Sequence, residues 1–155
     1  MNMKLLGALA AVSLLAACSS GDQNAAATGA GAGAGPRPGS QEDLVANVGD
    51  RVFFDTDSST VREDGRQTLN RQAEWLKKYG NYQITVEGHC DERGTREYNL
   101  ALGERRANAA RQYLIAQGIP ASRLKTVSYG KERPDPVGSD EAAWSRNRRA
   151  VTALE

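Results

Sequence analysis

Asp91, Asn99 and Arg106 offer a carboxylate, an amide and a guanidinium within a short stretch of chain. If the segment carrying the last two is helical, their separation of seven residues falls about 20° short of two turns, so both share one face about 10 Å apart along the axis. Gly103 between them removes bulk from that face, and Asp91 lies just before the helix begins. Such a trio suits a small zwitterion: Asp91 for an ammonium group, Arg106 for a carboxylate held by paired hydrogen bonds, Asn99 for either. The same residues at a helix start also fit an ordinary solvated charge pair, and spacing alone leaves both readings open.

His89, Cys90 and Asp91 form a second constellation, which could be read as a metal site or a Cys–His hydrolase centre. Metal sites need three or four convergent ligands, whereas successive residues at a strand end point to opposite faces. The chain has a single His, and a Cys nucleophile needs its base beside it around the reacting atom. The expectation is therefore no catalysis, no metal and no cofactor. By strand parity Cys90 continues the Ile84, Val86, Gly88 face and packs inward as a small apolar residue. His89 is expected to hydrogen-bond within its loop.

The elements that must hold these residues are readable from periodicity. Arg51–Asp55 is β-branched and aromatic and reads as a strand. Asp57–Ser59 is a turn, and Thr60 with Glu63 predicts a capping box opening a helix to about Tyr79, with Leu69, Ala73 and Leu76 on one face. Tyr82–Gly88 alternates as a strand, the polar loop His89–Thr95 follows, and a long helix runs from about Arg96 to Gln117, closed by Gly118 with Pro120 beyond. Leu124–Tyr129 is a third strand. Ser139 is expected to cap a short helix through Trp144, and Ala150–Leu154 to form a final edge strand. Strand, helix, strand, helix, strand predicts an α/β fold, a two-layer α+β sandwich with the helices on one sheet.

The front of the chain is of another kind. Lys4 precedes the apolar run Leu5–Ala17, which falls short of the roughly 20 residues a membrane span needs and fits a secretory signal. Leu15-Ala16-Ala17-Cys18 resembles the lipobox of bacterial lipoproteins. That resemblance implies a signal peptide over 1–17, acylation of Cys18, and, with Ser19 following, an outer-membrane anchor whose domain faces the periplasm. Acyl chains would hold the protein to the membrane without a spanning helix. Residues 18–43 are dominated by Gly, Ala, Ser and Pro and are expected to be a flexible tether. About 25 such residues give a coil reach of roughly 28 Å. Leu44–Glu155 is left as the globular domain. The 20 Lys and Arg stand against 19 Asp and Glu, and loss of Lys4 with the signal would leave the chain neutral, with no counterion-release drive toward nucleic acid. Acylation of Cys18 would leave Cys90 as the only thiol, so no internal disulfide is expected.

Val86-Glu-Gly-His-Cys-Asp-Glu-Arg-Gly-Thr95 and Tyr98-Asn-Leu-Ala-Leu-Gly-Glu-Arg-Arg-Ala-Asn108 closely resemble the OmpA-like peptidoglycan-binding domain. Val52-Phe-Phe-Asp55, Val127–Pro134 and Asn147–Val151 extend the likeness over nearly all of the globular part. The resemblance implies the family's βαβαβ fold with a short extra strand. It also implies noncovalent binding of the meso-diaminopimelate residue of the wall's stem peptide. Carried over residue by residue, it assigns the zwitterionic end of that side chain to Asp91 and Arg106, and the rest of the groove to Thr95, Asn99, Leu100, Phe54 and Asp55. Together with the lipobox it is closest to the family's lipoprotein branch, which implies the Tol system as partner, TolB and TolA, with roles in envelope integrity and constriction during division. An OmpA-like periplasmic adaptor without Tol involvement is the alternative, and a metal- or Cys-dependent wall hydrolase a more distant one. Where the family usually has Ala or Thr, this chain has Cys90. Arg146, Arg148 and Arg149 fit either glycan contacts or solvated surface.

Overall fold

Ile84, Val86 and Gly88 alternate with Thr85 and Glu87, so the segment forms a strand with one buried face, and the sheet is built outward from it. The computed structural model describes residues 35–155; the signal segment, Cys18 and most of the expected tether lie outside them. Strands β1 (Arg51–Phe53), β2 (Ile84–His89), β3 (Leu124–Gly130) and β4 (Arg149–Leu154) make one sheet in the order β1-β4-β2-β3. β2 and β3 are parallel, while β4 runs antiparallel to both β1 and β2.

The last strand is therefore an inner strand and not the edge strand expected. Its pattern misled because two of its buried residues are polar. Thr152 donates from its hydroxyl to Gln72 Oε1 at 2.7 Å, Gln72 in turn donates to the Gly49 carbonyl at 2.7 Å, and Arg149 donates to Asn147 Oδ1 at 3.0 Å. Satisfied this way, the Thr152 and Gln72 side chains sit inside the fold at little cost, and hydropathy alone misreads them.

Among the described residues four α-helices accompany the sheet: α1 (Gln41–Asp43), which continues as a π-helical turn over Leu44–Val48, α2 (Glu63–Lys78), α3 (Arg96–Ala116) and α4 (Glu141–Asn147). Leu69, Ala73 and Leu76 of α2 and Ala107, Ala110 and Leu114 of α3 meet Ile84, Val86 and Leu124 in one core. The expected capping box does not form. α2 starts at Glu63 after Arg62, which makes no side-chain cap bond, while the Thr60 amide bonds the Ser58 hydroxyl at 3.1 Å. Glu63 and Asp64 in the first turn complement the helix dipole instead. The cap of the short helix is Asp140, accepting from Ala143 N at 2.8 Å, and not Ser139.

Ordered chain also begins before Leu44. The Ser40 hydroxyl accepts from Asp43 N, the Asp43 carboxylate accepts from Gly39 N at 2.8 Å and from Trp75 Nε1 at 3.0 Å, and Gln41 Oε1 accepts from Leu154 N at 2.8 Å. Polar side chains fasten this stretch to α2 and β4, a form of attachment that composition does not reveal.

α3 is the element that carries the site. Thr95 caps it, accepting from Tyr98 N at 3.1 Å. Gly118, at φ +100°, closes it: Ile119 N donates to Leu114 O and Gly118 N to Ile115 O, the paired bonds of a Schellman motif. Gly103 and Gly88 let the helix press onto the sheet, since a Cβ on Gly103 would fall onto Ser128 Oγ and one on Gly88 onto the Gly103 carbonyl. The smallness of Gly103 serves helix–sheet contact and does not open space between Asn99 and Arg106.

Candidate functional site

At the carboxyl end of β2, two loops and the first half of α3 enclose a cleft of about 280 Å³. Asp91, Asn99 and Arg106 all line it, together with Thr56, Arg93 and Tyr98. The topology explains the meeting. β2 delivers Asp91 at its end, the crossover helix α3 turns back over the same strand, and the tight Gly88–Gly103 contact sets the helix depth.

Arg106 is buried, 1% exposed, and lies with its guanidinium carbon 5.3 Å from the Phe54 ring centroid. Its Nε donates to Ser58 O at 2.8 Å, Nη1 to His89 O at 3.0 Å and Nη2 to Asp55 O at 3.0 Å. It thus ties the loop after β1 to the end of β2, and burial pushes its pKa down. Asn99, 2% exposed, donates from Nδ2 to Arg93 O at 2.7 Å and to Thr95 O at 3.1 Å, which fixes the loop over Arg93–Thr95.

Asp91 does not pair with Arg106. Its Oδ1 accepts from Arg93 N at 3.1 Å and Arg93 Nε at 3.2 Å, and its Oδ2 accepts from Arg93 Nη2 at 2.9 Å and Arg148 Nη1 at 3.5 Å. Burial alone would raise the Asp91 pKa, but the hydrogen bonds from Arg93 and the charges beside it win and hold the carboxyl below its usual range. The lining therefore sets two carboxylates, Asp91 and Asp57, beside two guanidiniums, Arg93 and Arg106, with Arg148 behind Asp91, a mixed-charge lining that suits a ligand bearing both signs.

Other expected groove residues lie elsewhere. Phe54 is 1% exposed and supports Arg106 from within the core. Asp55 contributes its backbone carbonyl to Arg106 while its exposed side chain reaches Arg62 at 3.4 Å. Thr95 is occupied in capping α3. Leu100, 49% exposed, is turned to the other side of α3, where it borders an apolar groove with Ala101 and Val127. One helical position from Asn99 is a rotation of about 100°, which explains the divergence.

Arg93 and Arg148 were the residues that sequence reasoning undervalued. Arg93 carries a local signal: Asp91 Oδ1 accepting from the amide two residues on is an Asx turn, followed by Gly94 at φ +91°. Arg148 carries none. It is brought 57 positions back along the chain to Asp91 by β4 lying beside β2, and also donates to Phe54 O at 3.0 Å and Glu141 at 2.8 Å. Arg149 is buried as well, and only Arg146 of the three C-terminal arginines is exposed.

His89, Cys90 and Asp91 send their side chains apart. His89 reaches Glu87 at 3.3 Å and packs on Tyr129, Cys90 Sγ donates to Asn99 O at 3.2 Å, and Asp91 is held by Arg93. Burial pushes the Cys90 thiol up to about 11, so it is protonated at neutral pH. Among the described residues no cluster of three or more His, Cys, Asp or Glu is placed to hold a metal ion.

Comparison with known proteins agrees with this architecture. The family model described as OmpA family matches residues 53–148. The chain is 57% identical over 149 residues to a peptidoglycan-associated lipoprotein of Mesorhizobium japonicum, covering 95% of this chain and 89% of that relative. It is 68% identical over 117 residues to a protein of the same name from Agrobacterium fabrum, covering 76% of this chain and 66%, just under two thirds, of that relative. The crystal structure of the peptidoglycan-associated lipoprotein from Burkholderia pseudomallei superposes with a TM-score of 0.67 at 39% identity, covering 73% of this chain and 100% of that one.

Proposed function

We propose, from the premise that this chain belongs to the OmpA family, that it binds peptidoglycan noncovalently through the cleft at the end of β2. The ligand is the meso-diaminopimelate residue of the stem peptide, whose free end carries an ammonium and a carboxylate on one carbon. One observation carries this reading: Asp91, in the loop after β2, and Arg106, three turns into α3, line a single cleft of a size to admit an amino-acid side-chain end. A role in attaching the envelope to the wall is supported by the names that the similar lipoproteins bear.

Finer features belong to the same proposal. Lipid on Cys18 anchors the chain in the outer membrane, the tether lets the domain reach the wall below, and the domain faces the periplasm. Many anchored domains near many stem peptides then give durable attachment from individually weak contacts, because tethering raises effective concentration. TolB and TolA are the partners, linking the anchor to constriction at division. No bond is made or broken in this function.

Asp91→Asn is the discriminating variant, since it removes the charge and keeps the shape. Sedimentation with insoluble peptidoglycan should be lost, with the circular dichroism spectrum unchanged. Undiminished cosedimentation of a folded Asp91→Asn chain would sink the assignment. Arg106→Ala is a poorer choice because Arg106 also holds three backbone carbonyls.

A further inference from the structure

Asp91 is occupied before any ligand arrives. Arg93 covers both of its oxygens, with Nε at 3.2 Å from Oδ1 and Nη2 at 2.9 Å from Oδ2. The two guanidiniums that line the cleft, Arg93 and Arg106, and Arg148 beside Asp91 differ in how firmly they are held. Arg106 and Arg148, 1% and 7% exposed, donate to main-chain carbonyls of the segments they join. Neither can move without opening the fold. The Arg93 side chain is 40% exposed, and beyond Asp91 it hydrogen-bonds the Thr56 hydroxyl at 3.4 Å and lies over the face of Trp144, 4.2 Å from the ring centroid. Its backbone, in contrast, is fixed by the bond from Asn99 to its carbonyl. The side chain is free to swing on a fixed loop.

We propose that Arg93 is a displaceable latch on Asp91, which selects ligands carrying an ammonium and a carboxylate together over ligands carrying an ammonium alone. The inference rests on the reading of the cleft as a zwitterion site and assigns its selectivity to a residue. An ammonium that reaches Asp91 must replace a guanidinium fork. A lone ammonium exchanges two aligned charge-assisted hydrogen bonds for one point contact, and leaves Arg93 unpaired beside Arg106 and Arg148. A carboxylate on the same carbon reverses both penalties. It gives the released Arg93 an acceptor fork, and it meets donors of Arg106 that remain, since a guanidinium has five N–H and three are engaged by carbonyls.

Trp144 supplies the resting place for the opened latch. Its indole is held by Nε1 donating to Glu92 Oε1 at 3.1 Å, so Arg93 can slide across a fixed aromatic face and keep its cation–π contact. Arg93 is thus a positioning residue. It acts by deciding which ligand charge pattern gains access to Asp91.

The test is calorimetric titration of the full chain with two soluble peptides differing by one carboxylate, L-Ala-D-Glu-meso-diaminopimelate and L-Ala-D-Glu-L-Lys. The native chain should bind the first at least about 100-fold more tightly than the second. Arg93→Ala should narrow that ratio to about tenfold or less, chiefly by tightening the lysine peptide, because Asp91 is uncovered. Arg93→Lys, which keeps the charge and loses the fork, should fall between. In the ligand-free chain the Asp91 carboxyl ¹³C resonance should titrate at higher pH in Arg93→Ala, reporting a folded and unlatched site. An unchanged ratio in Arg93→Ala, or equal weakening of both peptides, overturns the latch while native binding of the first peptide leaves the zwitterion reading standing. A native chain that binds neither peptide overturns both.

Discussion

At the Ile84 end of β2 the interior is apolar throughout, with Leu76, Leu114, Ile119 and Leu124 meeting around a strand residue that is 0% exposed. At the His89 end of the same strand the interior is polar: Asp91, Asn99, Arg106 and Arg148 are each 7% exposed or less. The helix α3 spans both, burying Ala107, Ala110 and Leu114 in one part and Asn99 and Arg106 in the other. The apolar end needs only shape and volume to be stable. At the polar end, the buried side chains of Asp91, Asn99, Arg106 and Arg148 each take partners at defined distances. That arrangement makes the polar end a rigid set of donors and acceptors, which a recognition site needs and which a purely apolar core cannot supply.

The sharpest way to break this contrast is to damage each end separately. Leu114→Ala should cost about 2–5 kcal/mol of stability, because it removes side-chain burial and leaves a cavity. Cosedimentation of the still-folded fraction with peptidoglycan should be unaffected, with urea unfolding giving the stability and the pellet assay the binding. Arg106→Lys should cost less, about 1–3 kcal/mol, since an ammonium cannot satisfy the three carbonyls that the guanidinium spans. It should nevertheless abolish wall binding, the reverse of the Leu114→Ala result. Equal effects of the two variants on binding would dissolve the distinction between the ends.

Acid is a gentler probe. The Asp91 pKa is lowered in the folded chain, so its contribution to stability is present above the unfolded value of about 3.9 and is lost as pH falls below that value through the folded pKa. Thermal melts of the native chain should lose a small extra increment of stability below about pH 4, and Asp91→Asn should lack that increment. Identical acid profiles for the two chains would mean that Arg93 and Arg148 do not stabilise the carboxylate.

Much of the fold was legible in the sequence because the apolar end obeys simple periodicities. The alternation through Ile84 and Val86 and the spacing of Leu69, Ala73 and Leu76 follow from one face meeting a core. The errors cluster where polar groups do the structural work. β4 looked like an edge strand because Thr152 is buried through a partner far away in the chain, Gln72. The Thr60–Glu63 capping box failed because the chain is still extended there and α2 opens only at Glu63. The segment around Ser40–Asp43 looked like tether because its attachments run to Trp75 and β4. For the site, Asp91, Asn99 and Arg106 were found together, whereas Leu100 and Thr95 were assigned to a groove they do not line.

Amino-acid order alone established which residues bear charge near the end of a strand and the start of a helix, because helical pitch and strand alternation are local properties of the backbone. It could not decide that Asp91 would be held by Arg93 and Arg148 and not by Arg106, or that Arg106 would bind three carbonyls, two from the loop after β1 and one at the end of β2. Those pairings depend on β4 lying between β1 and β2 and on how closely α3 approaches the sheet. A buried charge takes whichever partners the packing brings within about 3 Å, and that distance is set only when the whole chain has folded.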